Sequence, residues 1–362
     1  MNEVWLQLNG RFYSYADLSS GDKGGSLTGF EAATLAFCRD WIRGVQHFTL
    51  STSGSTGTPK TISFQREQME ASARLTAAAL NLQSRYTALL CLDPRYIAGQ
   101  MMIVRSIVTG MNVVAVEPSA YPLASIPPKT HIDFAAVVPY QLQSILDAPE
   151  GKNKLNRLKT VLVGGAAVSA KAVMAVQDME CAIYSTYGMT ETISHIALRL
   201  LNGPEAKDYF EVLPGISIST DARGCLMIGA PYLGHEKIIT NDLVDILGPR
   251  EFRWRGRWDR VINSGGVKVA PEKIERVSEK ALDTLGIKRR FFAAGLSDER
   301  LGMKAVLVVE GEPFSETVHR TFMAQLTAGL EQYEIPKEVR YVLKFVETPT
   351  QKIDSLATLQ QV

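Results

Sequence analysis

Through the middle of the chain, short apolar runs alternate with amphipathic stretches. Runs rich in β-branched, Leu and Ala residues at 88–92, 112–116, 134–138 and 160–163 have strand length. The intervening stretches 97–108, 140–148 and 169–177 carry apolar residues at helical spacing, and Ser169 is placed to cap the last of them. This alternation predicts a mainly parallel sheet with helices on both faces. Ligands of such sheets gather at the carboxyl ends of strands. Two Gly-rich or polar turns fall there, at 164–166 and 185–191. Earlier in the chain, Phe30, Ala33, Leu35, Phe37, Trp41 and Ile42 line one side of a helix over 30–44. A short strand at 48–50 and an Ala/Leu-rich helix over 67–82 follow. The first twenty residues show no clear period.

Beyond Gly203 the texture changes. Segments 224–229 and 252–255 read as antiparallel strands with polar turns, and 274–285 as a helix. Segments 291–295, 305–309 and 339–345 read as strands, with a helix over 316–332 before the last. The expected fold is therefore α/β, with a large N-terminal domain (1–258), a mainly parallel sheet and flanking helices. A small α+β domain (259–362) completes it. The length agrees, since 362 residues exceed what one compact core holds.

Composition narrows the function classes. Hydrophobic residues make up 46% and charged residues 21%, the values of a globular protein. A net charge of +1 gives no general attraction to nucleic acid or anionic lipid. No apolar run approaches the ~18 residues of a membrane span, and no secretory pattern opens the chain, so a cytoplasmic location is expected. The four cysteines (Cys38, Cys91, Cys181 and Cys225) are scattered, with neither pairing nor metal-ligand spacing, and read as reduced buried thiols.

The strongest local signal is S-T-S-G-S-T-G-T-P-K, from Ser51 to Lys60. Ser53, Gly54, Ser55, Thr56, Gly57 and Thr58 supply hydroxyls and backbone N–H groups that can turn inward on an anion. Lys60 adds a point charge for phosphate oxygens. The spacing does not fit a P-loop, which needs four residues between its first glycine and Gly-Lys.

That loop is followed by Y-G-M-T-E-T from Tyr187, T-N-D-L from Thr240 and G-R-W-D-R-V-I from Gly256. In this order the motifs resemble the adenylate-forming superfamily of acyl-CoA synthetases, peptide-synthetase adenylation domains and luciferases. Y-G-M-T-E-T-I-S-H-I-A from Tyr187, V-P-Y-Q-L-Q from Val138 and I-A-G-Q-M-M-I-V-R-S from Ile97 are most similar to the o-succinylbenzoate–CoA ligases of menaquinone biosynthesis. The resemblance implies ATP, Mg2+ and CoA as cofactor and co-substrates. It puts the triphosphate on Ser53–Lys60, and adenine against Gly164, Gly165, Ala166 and Tyr187, with Gly188 and Thr190 adjoining. It implies Mg2+ on Glu191, ribose on Asp242, and ribose or phosphate on Arg257. Lys352 aligns with the lysine that bridges the attacking carboxylate and the α-phosphate, where a preorganised ammonium stabilises developing charge. Thr192, Ser194 and His195 would line the acid-binding side, with His195 and Arg105 as candidate donors to a second carboxylate. Asp259 matches the hinge about which the small domain rotates, bringing the loop 264–267 into the site for thiol attack.

Some positions depart from the pattern. The loop comes early, so much of the family's N-terminal subdomain has no counterpart, and a partner subunit could supply it. Tyr96 stands where His is frequent, Asn241 replaces Gly or Glu, Gln351 replaces Gly, and Ser355 replaces Arg. Two alternatives stay open. One is an adenylating ligase for another aryl or fatty acid, or for a carrier-protein thiol. The other is a non-catalytic nucleotide-binding relative. A small acid, ATP and CoA are the expected partners, with no nucleic acid and possible self-association.

Overall fold

The protein is described from a computed structural model, covering residues 6–20, 26–52, 60–126, 129–347 and 353–361. Its centre is a thirteen-stranded sheet. Strands Leu6–Leu8, Asn112–Ala115, Thr87–Leu90, Phe134–Val137, Thr160–Val163 and Ala182–Gly188 lie side by side, each parallel to the next. Beyond Ala182–Gly188 every pairing is antiparallel, through His195–Leu200, Phe210–Val212, Glu251–Arg257, Ile238–Gly248 and Cys225–Gly229 to Ser217–Thr220. Helices cover both faces of the parallel half, and the sheet between them separates two apolar cores. Trp41, Met101, Met102 and Phe134 anchor one, and Leu89, Leu142, Val161 and Ile183 the other. A strand covered on both faces reads as an unbroken apolar run, which is why T-V-L-V at Thr160–Val163 is wholly buried.

The expected strands and helices of the parallel half are found within a few residues of their predicted ends. Ser169 caps the helix Ala170–Ala175 by accepting from the Ala172 N–H at 3.0 Å. The helix Gly29–Ile42 opens with a capping box, in which Thr28 accepts from the Glu31 N–H and Glu31 from the Thr28 N–H. Two elements differ from expectation. Leu6–Leu8 forms a strand on the parallel edge, followed by the antiparallel strand Arg11–Tyr13. Three residues are too few for a period to show. Residues 53–59 also do not join a strand directly to a helix. They connect the strands His47–Thr52 and Lys60–Gln65 of a separate hairpin. Phe64 of the second strand is buried against the core, and the helix Arg66–Ala79 follows at once.

The last hundred residues form a separate small sheet. Ile262–Ser264, Val267–Val269, Phe291–Asp298 and Gly302–Glu310 run antiparallel, and Glu338–Val342 lies parallel to Gly302–Glu310. Helices Pro271–Thr284 and Glu316–Gly329 pack on it around Ile274, Leu307 and Phe322. The expected α+β unit is thus present. Among the described residues no helix is long and apolar enough to cross a membrane.

Candidate active site

The site grows from the seam where the sheet turns from parallel to antiparallel. Ala182–Gly188 is the last parallel strand and His195–Leu200 pairs against it. The reversal between them is tight. Thr190–Thr192 makes one 3-10 turn, and Ile193 sits at φ +67°, a conformation that costs a β-branched residue energy. Thr192 pins the turn, its Oγ1 accepting from the Met189 N–H at 2.9 Å and lying 2.7 Å from the Ser194 carbonyl. Gly188 is required here. A Cβ on it would stand 2.4 Å from both the His195 Cα and the Ser194 carbonyl oxygen. This turn leaves Glu191 exposed and buries His195.

On one side of the seam, Tyr187 donates its hydroxyl to Asp242 Oδ2 at 2.6 Å. Trp254 Nε1 donates to the other oxygen, Oδ1, at 3.1 Å. The Asp242 N–H donates to Thr240 Oγ1 at 3.0 Å. Burial, and then the Asp242 carboxylate, push the Tyr187 phenol well above its ordinary range. The Tyr187 ring packs edge-on to Phe252 at 5.1 Å and against Phe210 at 5.8 Å. Arg257 lies opposite Asp242 in the ladder, but its guanidinium forks onto Asp259, with one contact at 2.6 Å. That hydrogen-bonded pair holds Asp259 below the usual carboxylate range. Asn241 reaches the same carboxylate at 3.4 Å. On the neighbouring strand end, Gly165 takes φ +87°, and a Cβ at Gly164 would lie 2.4 Å from Thr186 Oγ1. The Gly164–Ala166 turn is therefore pressed against the strand that carries Tyr187.

On the other side stands a buried polar chain. Arg105, from the helix Ile97–Thr109, donates to Ser194 Oγ. Ser194 Oγ lies 3.4 Å from His195 Nδ1, and His195 Nε2 lies 3.0 Å from Thr76 Oγ1. Thr76 donates its own hydroxyl proton to the Ser72 carbonyl at 3.2 Å. Proton counting then sets the direction. Thr76 must accept from His195 Nε2–H, so Nδ1 is the acceptor of the Ser194 hydroxyl. His195 is neutral in this arrangement. Burial, and then the Arg105 charge, hold its pKa well below 6.5. Arg105 is 3% exposed, and burial pulls its guanidinium down to about 10. Among the described residues no carboxylate pairs with it, and its Nε has no hydrogen-bond partner. Tyr232 closes the group, donating to the Thr192 carbonyl at 3.3 Å.

The structure thus brings Tyr187, Gly188, Thr190, Thr192, Ser194, His195, Arg105, Asp242, Arg257, Asp259 and Gly164–Ala166 to one region. Ser53, Gly54, Ser55, Thr56, Gly57, Thr58 and Lys352 lie outside the described residues. The backbone of Lys60 pairs with Thr52 at the start of its strand. Thr76, Tyr232 and Trp254 were not expected from the sequence. Ser72 and Thr76 form an i, i+4 hydroxyl pair in an Ala-rich helix, and that pattern was the available signal. Both are fully buried. For Trp254 the strand period alone pointed elsewhere.

Residues 48–218 match the family model described as "AMP-binding enzyme". A solved structure of an acyl-CoA synthetase (AMP-forming)/AMP-acid ligase II-like protein from Dyadobacter fermentans is 40% identical. The match covers 96% of this chain and 98% of that one, with a TM-score of 0.64. A probable 2-succinylbenzoate–CoA ligase from Mycobacterium tuberculosis is 27% identical over 86% of this chain and 83% of its own length. The o-succinylbenzoate coenzyme A synthetase of Bacillus subtilis, solved with ATP and magnesium, shares the fold. Its TM-score is 0.71 at 19% identity, covering 86% of this chain and 69% of that one.

Proposed function

The chain belongs to the AMP-binding enzyme family of AMP-forming acyl-CoA synthetases and acid ligases, and from that premise we propose that it activates o-succinylbenzoate and transfers it to CoA. In this reading a substrate carboxylate oxygen attacks the α-phosphorus of ATP and pyrophosphate leaves. The CoA thiol then attacks the acyl carbon and AMP leaves.

The observation that carries the substrate assignment is Arg105. A buried guanidinium without a counter-ion is costly to hold, because desolvation is not offset by any Coulombic partner. It stands beside Ser194 and His195, at the acid-binding side by resemblance. The reacting carboxylate is committed to the α-phosphate, so Arg105 serves a second carboxylate. o-Succinylbenzoate has one, and relatives at 27% identity carry its name. His195 stays neutral and holds Ser194 in line.

Asp242 suits a ribose diol. Each of its oxygens keeps a lone pair beyond those used by Tyr187 and Trp254. Glu191 is a single exposed carboxylate at the turn between the two strands. That suits Mg2+, which takes one or two carboxylates and completes its shell with phosphate oxygens and water. When bound, the ion would neutralise phosphate charge. Lys60 and Lys352 would supply the remaining positive charge to the β/γ- and α-phosphates, and Asp259 the hinge near the 258/259 boundary.

The test is pyrophosphate release with ATP, Mg2+ and o-succinylbenzoate, with and without CoA. Turnover that yields the CoA thioester supports the reading. Release only with other acids keeps the ligase and discards this substrate. ATP binding with no release on any acid favours a non-catalytic role.

A further inference from the structure

Trp254 reaches Asp242 through an irregularity in the sheet. On Ile238–Gly248, Asp242, Val244 and Ile246 share one face. Their partners across the ladder are Arg257, Trp254 and Phe252. The register shifts between Leu243 and Val244, so Glu251–Arg257 carries one extra residue, Arg255. An inserted residue of this kind flips the face of everything beyond it. In an unbroken ladder Arg255 would lie on the Asp242 face and Trp254 on the other. As built, Arg255 turns away and pairs with Asp245, and the Trp254 indole N–H meets Asp242. Gly256 permits the kink. Its φ is +153°, and a Cβ there would stand 2.6 Å from Glu272 Oε2.

We propose that Trp254 is a positioning residue for nucleotide recognition: its N–H, delivered by the bulge, locks the Asp242 carboxylate so that it accepts the ribose hydroxyls. The proposal rests on the reading of Asp242 as the ribose-binding acid. The choice of donor has a chemical reason. Arg257, on the same face, is committed to Asp259; a further arginine, at the place the indole takes, would form an ion pair with Asp242 and compete with the ribose for its lone pairs. Trp and Tyr are neutral donors. They take one position on each oxygen, fix the plane of the carboxylate, and leave its charge for the ligand. Trp254 itself makes no contact with ribose in this scheme, so it acts through Asp242.

Trp254→Phe keeps the ring and removes the N–H. Steady-state pyrophosphate release is measured with ATP and with 2′,3′-dideoxy-ATP, which lacks both hydroxyls. The KM for ATP should rise about tenfold, as expected for one lost hydrogen bond to a charged group, with kcat within about twofold. The KM for dideoxy-ATP should not change, because the lost orientation matters only when hydroxyls are present. An equal rise for both nucleotides, or no rise for either, overturns the proposal, the first because it reports packing. Trp254→His retains a ring N–H and should keep the preference for ATP over dideoxy-ATP. Loss of that preference in folded His variant overturns the donor role even if the Phe variant does not fold. If the unaltered protein itself does not distinguish the two nucleotides, the ribose reading of Asp242 fails, and the proposal with it.

Discussion

Replacing Arg105 by Met separates the cost of a buried charge from its use. The guanidinium is 3% exposed, surrounded by Met102, Ser194 and His195. Burial lowers its pKa to about 10, well below the ordinary guanidinium range. At about 1.4 kcal/mol per pH unit, that corresponds to a penalty of about 3 kcal/mol on the cation. Methionine fills a similar volume without charge. It forfeits the hydrogen bond to Ser194, worth about 1–2 kcal/mol. The variant without acid should therefore be more stable than the unaltered protein by about 1–2 kcal/mol. That is a rise of about 2–8 °C in the melting temperature of the large domain. With saturating o-succinylbenzoate the order should reverse in the ligand-induced shift, since only Arg105 gains an anion. The KM for o-succinylbenzoate should rise about 10–100-fold through loss of a charge-assisted bond. For 4-oxo-4-phenylbutanoate, which lacks the ring carboxylate, it should barely move. Scanning calorimetry with and without acid, together with pyrophosphate release on the two acids, gives both readouts. A variant less stable than the unaltered protein, or an equal KM penalty on both acids, would refute the reasoning.

Three further outcomes are expected. Lys352→Ala should slow acyl-adenylate formation by about 10²–10³-fold while sparing thioester formation from preformed adenylate; single-turnover assays of each half-reaction decide it, and equal survival of both removes Lys352 from the chemistry. His195 is held well below 6.5 by burial, so the unfolded chain takes up a proton that the folded one refuses. Stability should fall as pH drops below about 6.5, and His195→Gln should flatten that slope by up to about 1.4 kcal/mol per pH unit in urea titrations; an unchanged slope would mean His195 is charged in the fold. Gly188→Ala would force a Cβ to 2.4 Å from backbone atoms of Ser194 and His195, which should cost about 1–3 kcal/mol of stability and weaken acid-dependent turnover, as melting curves and KM for the acid would show.

Much of this protein was legible in its sequence, for a local reason. The parallel strands are buried on both faces, so each is an apolar run bounded by helical periods, and Thr160–Val163 or Ile97–Thr109 can be read without knowing a neighbour. The motifs are likewise contiguous: Tyr187 to Thr192 and Gly256 to Asp259 each lie in one stretch of chain. Short edge strands such as Leu6–Leu8 were not legible, because three residues hold no period and only pairing with Asn112–Ala115 defines them. Lys60–Gln65 was hidden behind the polar loop that it closes.

What only the tertiary structure decided lies in contacts between distant segments. Arg105 was a candidate cation in an apolar helix. Its burial with no carboxylate beside it among the described residues, and its place in a chain running through Ser194 and His195 to Thr76, come from the packing of two helices against the seam of the sheet. Arg257, the candidate for ribose or phosphate, lies opposite Asp242 in the ladder and forks onto Asp259, a pairing that no local pattern shows. Trp254 faces Asp242 because one extra residue changes the register of a ladder, and a side chain's face depends on its pairing partner as much as on its own position. Local periodicity carries the elements and the motif residues; which buried charge lacks a partner, and which donor meets which carboxylate, is set where segments far apart in the chain are brought within hydrogen-bond distance.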